Sequence, residues 1–109
     1  MVNITTVRLQ EMIDRLLSNS NCRSIPEYVL KQLDNKTEVD KVNLGSTPEC
    51  KLKRATATVY VANDVYYVHL SFTKSAEFGT ESPVFVVQGS ERFADFMIEL
   101  RKEVSALVG

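Results

Sequence analysis

At 109 residues, with 44% apolar and 25% charged side chains, the chain can bury a core as one domain without metal or disulfide staples. That balance excludes an intrinsically disordered protein, and a formal net charge of -1 excludes a polybasic nucleic-acid coat or an acidic tail. The charge is unevenly spread: residues 51–74 hold Lys51, Lys53, Arg54 and Lys74 against Asp64 alone, the one positive stretch.

Leu9, Met12, Ile13, Leu16 and Leu17 recur at helical spacing and predict an amphipathic helix, with Thr5 or Thr6 as its cap. Glu11 lies four residues before Arg15, a favourable helix pair, and Ser18-Asn19-Ser20-Asn21 ends the helix. Ser24, Pro26 and Glu27 read as a capping box opening a second, shorter helix that carries Tyr28, Val29, Leu30 and Leu33. The two helices are expected to form a hairpin over residues 1–34. Asp34 to Glu49 reads as a polar connection, within which Val42 and Leu44 could form a short edge strand.

The next stretch, Lys51 to Lys74, predicts a β-hairpin with a written register. Asn63-Asp64 separates two alternating runs, and both residue types tolerate the left-handed backbone of a two-residue hairpin turn. Val61 then faces Tyr66, Val59 faces Val68, Ala57 faces Leu70 and Ala55 faces Phe72. On the other face Tyr60 meets Tyr67, Thr58 meets His69, Thr56 meets Ser71 and Arg54 meets Thr73. The first face is apolar and pairs small residues with large ones. The second is hydroxyl-rich, aromatic at one end and basic at the other.

After a polar loop over Ser75–Ser82, Pro83 precedes Val84-Phe85-Val86-Val87, a continuous apolar strand in which the proline marks an edge position. Gly89-Ser90 ends the strand and caps the last helix, whose stripe is Phe93, Phe96, Met97, Leu100, Val104 and Leu107. Ile98 points away from that stripe, beside Ala94. The expected fold is an α+β, two-layer single domain over 1–109: a mainly antiparallel sheet of three to four strands backed by helices, in the order α-α-(β)-β-β-β-α. The element order over 51–108 resembles the sheet-plus-helix modules of the Pur-alpha type and the small Alu-binding proteins of the signal recognition particle. That resemblance rests on element order and implies a sheet face for single-stranded nucleic acid.

Catalytic signals are weak. One histidine cannot supply a multi-histidine metal site, and Cys22 and Cys50 lack paired zinc spacing. Neither a phosphate-cradling glycine loop nor a nucleophile elbow is present. No metal, no cofactor and no enzymatic activity are expected. The absence of a long apolar segment argues against membrane insertion, and an intracellular protein with reduced thiols is the default expectation.

The favoured reading is therefore a non-enzymatic protein binding single-stranded nucleic acid on the hairpin's second face. Tyr60 and Tyr67 would stack bases, Lys51, Lys53 and Arg54 would hold phosphates, and Thr56, Thr58 and His69 would hydrogen-bond. The plainer reading of His69 is a strand histidine bonded to Thr58, and of the tyrosines a cross-strand pair that steadies the hairpin. The competing function is a protein-interaction or regulatory module acting as a homodimer through Phe85, Val87 and Ile98, on the third strand and last helix.

Overall fold

The computed structural model describes residues 4–20, 22–45, 55–72 and 83–108. Among the described residues three helices and five strands follow in the order α1 (Ile4–Asn19), β1 (Arg23–Ile25), α2 (Glu27–Lys31), β2 (Thr37–Gly45), β3 (Ala55–Ala62), β4 (Val65–Phe72), β5 (Val84–Gln88) and α3 (Ser90–Val108). The strands form one antiparallel sheet in the spatial order β1-β5-β4-β3-β2. The fold is thus α+β, with five strands rather than three or four and an element order that differs from expectation at its N-terminal end.

The β3–β4 hairpin has the register read from its alternation, from Ala55 opposite Phe72 through Tyr60 opposite Tyr67 to Ala62 opposite Val65. Asn63 and Asp64 adopt φ of 53° and 63°, the paired left-handed conformation whose twist matches that of the flanking strands. Arg54 and Thr73, expected to extend the ladder, lie outside the described residues.

One sheet face carries the main core. Ala57 and Val59 of β3, Val68 and Leu70 of β4, and Phe85 and Val87 of β5 are buried beneath Met12 and Leu16 of α1 and Phe96, Leu100 and Val104 of α3. The small residues of β3 leave room for the larger side chains opposite, so both helices seat on a single face. Phe85 meets Phe96 with ring centroids 5.2 Å apart, and Tyr66 stacks on Phe93 at 4.3 Å. Arg15, expected to pair with Glu11, reaches across to α3, where Nε and Nη2 donate to Glu103 Oε2 at 3.0 and 2.8 Å.

Three expectations need correction. Ser24 does not cap a helix: it lies in β1 opposite Phe85, and α2 begins at Glu27 after Pro26, with no side-chain cap. Pro26, extended and without an N–H to continue the β1 ladder, is the N-cap of α2, which runs for only five residues. The two N-terminal helices are therefore not a hairpin, being separated by a strand. The edge strand expected around Val42 and Leu44 is present and longer than expected, the nine-residue β2, whose two register shifts fall around Val39 and Leu44. Finally, Val84–Val87 is not an edge, because β1 pairs with its outer side. Phe85 and Val87 are consequently core residues closed to a partner chain, whereas Ile98 is 54% exposed on α3.

Candidate nucleic-acid interface

The strand register places Tyr60 and Thr58 of β3, Tyr67 and His69 of β4, Val84 and Val86 of β5, and Arg23 and Ile25 of β1 on the sheet face opposite the main core. This second face is not uniformly open. Leu30 of α2 is 4% exposed, and on the sheet below Val84 is fully buried and Val86 nearly so. Glu27 Oε1 stands 3.8 Å from His69 Nε2, and Lys36, beyond the end of α2, reaches the Tyr60 ring. The segment 27–36 thus crosses the middle of the face as a short roof.

The roof decides what each expected contact can do. Thr58 is buried at 8% exposure, so its hydroxyl is withdrawn from a strand passing over the sheet. The His69 Nε2 makes no bond to the Thr58 side chain, being buried without a hydrogen-bond partner. Burial lowers the His69 pKa below the ordinary histidine value, with Lys31 adding to that shift and Glu27 opposing it. Protonation for phosphate binding is accordingly disfavoured at this position. Thr56 is half-buried and its carbonyl accepts a hydrogen bond from Ser71 Oγ at 3.4 Å. Lys51, Lys53 and Arg54 lie outside the described residues.

The turn end of the same face is different. Tyr60 and Tyr67, opposite one another in the ladder, are both half-buried rather than covered. Lys36 Nζ lies over the Tyr60 ring, 6.0 Å from its centroid, while donating to the Leu33 carbonyl at 2.9 Å, which fixes a cation over one face of that ring. Next to Tyr67 an open cavity of about 310 Å³ is lined by Cys22, Arg23, Val65, Val86, Gln88 and Arg92. Its position follows from the register, since Val86 lies opposite both Tyr67 and Arg23, and Val65 lies opposite Gln88. Gly89 turns the chain from β5 into α3 with φ of 90°, and its amide donates to the Asp64 carbonyl at 3.1 Å. That bond ties the start of α3, and with it Arg92, to the hairpin turn.

Sequence reasoning missed Arg23 and Arg92. They come from a strand and a helix 69 positions apart, and only the β1–β5 pairing brings them to one cavity. Cys22 contributes an uncharged wall: burial pushes its thiol pKa up, and Sγ lies 3.6 Å from the Leu16 carbonyl. Among the described residues no group of three His, Cys, Asp or Glu side chains could hold a metal ion. No described helix is long and apolar enough to cross a membrane. Compared with protein-family models, curated proteins and solved structures, the chain matches none.

Proposed function

We propose that this is a non-enzymatic binding protein for single-stranded nucleic acid, which engages the turn end of the hairpin's second face rather than the whole of it. Tyr60 and Tyr67 stack bases, while Lys36, Arg23 and Arg92 hold phosphates. The observation that carries this reading is one neighbourhood: two half-open tyrosines on adjacent strands, flanked by Lys36 on one side and by the two-arginine cavity on the other. Every base has a π face, so a tyrosine pair accepts single strands with little regard to sequence. The footprint is short. From β5 to β3 the face spans two strand spacings of ~4.8 Å, room for two or three nucleotides.

Fluorescence anisotropy with labelled DNA and RNA oligonucleotides tests the reading. Saturable binding at low salt is expected, and Tyr67→Ala should weaken it by ~1–3 kcal/mol while leaving the circular dichroism spectrum unchanged. No binding to either nucleic acid at low salt would overturn it. A second reading, self-association through the outer face of α3, draws on the exposure of Ile98 beside exposed Ala94. Ile98→Asp should abolish any concentration-dependent dimer in sedimentation and leave oligonucleotide binding intact.

A further inference from the structure

We propose that the cavity between β1, β5 and the first turn of α3 is a pocket for a terminal phosphomonoester, so that the bound strand starts there. This rests on the single-strand reading and gives that site a direction and an end preference. The cavity is lined by Arg23 and Arg92, by Gln88, and by Cys22, Val65 and Val86. No carboxylate is among its lining residues. Nor does either arginine form an ion pair with any described residue, although Arg15, Lys31 and Lys102 all do.

Charge count distinguishes a strand end from its interior. An internal phosphodiester carries one negative charge, whereas a phosphomonoester carries about −1.5 to −2 near pH 7. Two guanidiniums lining a single small cavity match the second and exceed the first. Each presents a planar fork of N–H donors to phosphate oxygens, and the Gln88 side chain adds a further donor. The first turn of α3, to which Arg92 belongs, places the positive end of a 19-residue helix on the same side. Val65 and Val86 supply an apolar wall for the sugar or base attached to that phosphate. A volume of about 310 Å³ lies at the low end of the ~300–1,000 Å³ range of small-molecule sites. It suits one nucleotide unit rather than a longer segment. Beyond the cavity the path continues across the ladder from Val86 to Tyr67 and Tyr60, where Lys36 waits.

The experiment compares short oligonucleotides of one sequence bearing a 5′-phosphate, a 3′-phosphate or hydroxyls at both ends, with a nucleoside monophosphate titrated separately. Amide shifts of Val65, Gln88 and Cys22 would be followed by NMR. One of the phosphorylated ends should bind about tenfold or more tightly than the hydroxyl form, the scale of one charge-assisted hydrogen bond. Arg23→Gln and Arg92→Gln should each erase that preference, each weakening the phosphorylated oligonucleotide about tenfold more than the hydroxyl form. Both arginines are exposed, so the variants should fold, and thermal melts check this. Oligonucleotide binding with no end preference would overturn the pocket and leave the sheet reading standing. Arginine-dependent binding of the monophosphate without oligonucleotide binding would support the pocket and overturn the sheet reading. Binding of neither would overturn both.

Discussion

Burying the His69 imidazole disfavours its charged form by more than Glu27, 3.8 Å away, restores. Its folded pKa is therefore lowered, and the unfolded chain takes up a proton more readily. By linkage, the stability from keeping His69 neutral is fully present above about pH 6.5 and is lost as pH falls through the depressed folded value. The charged groups facing it are Glu27 and Lys31, both on α2. Urea midpoints should fall between pH 7 and pH 5, and His69→Gln should flatten that slope. An unchanged slope would mean that other carboxylates set the acid limit. Gly89 offers a second residue-scale test. A Cβ there would touch nothing within 4 Å, yet φ of 90° strains any L side chain. Gly89→Ala should cost about 1–2 kcal/mol in denaturant melts, with the Asp64–Gly89 bond the first to loosen.

At the scale of elements, α2 is what separates an open sheet from a partly closed one. Its five residues cannot be stable alone, so its place depends on Leu30 packing against the second face. Leu30→Ala should cost ~2–5 kcal/mol if the site stays rigid. It should also raise amide hydrogen exchange at Thr58 and His69 more than at Leu100 in the main core. Uniform exchange would show that the roof and the core open together. Little of this was legible beforehand, and the reason is physical. The hairpin was readable because Asn63-Asp64 and two strictly alternating runs state turn and register locally. By contrast, β1 consists of three residues, and Ser24 with Glu27 carries a helix-start signal that the strand pairing to Phe85 overrides. The full length of β2 was masked by Glu38, Asp40 and Lys41, charges suited to an exposed edge that dilute strand propensity. The tyrosine pair could be placed from alternation, while Arg23 and Arg92 needed the long-range pairing of β1.

At the scale of the whole molecule, a net charge of -1 means that no general field draws a polyanion to this protein. Any affinity for a strand must come from local cations and stacking, and salt can separate the two. For single strands, log K falls by about 0.7 per decade of salt for each phosphate neutralised. With Lys36, Arg23 and Arg92 engaged, the slope should be about −2, so a tenfold rise in salt should weaken binding about 100-fold. Arg92→Gln should reduce the slope by about 0.7, whereas Tyr60→Ala should lower affinity at every salt concentration and leave the slope unchanged. A slope near −4 or steeper would bring in cations beyond these three, and Lys51, Lys53 and Arg54 on the adjoining stretch would be the first to replace. A slope near zero would mean that no phosphate is held, and the tyrosines would then be the hairpin's own cross-strand brace rather than a platform for bases.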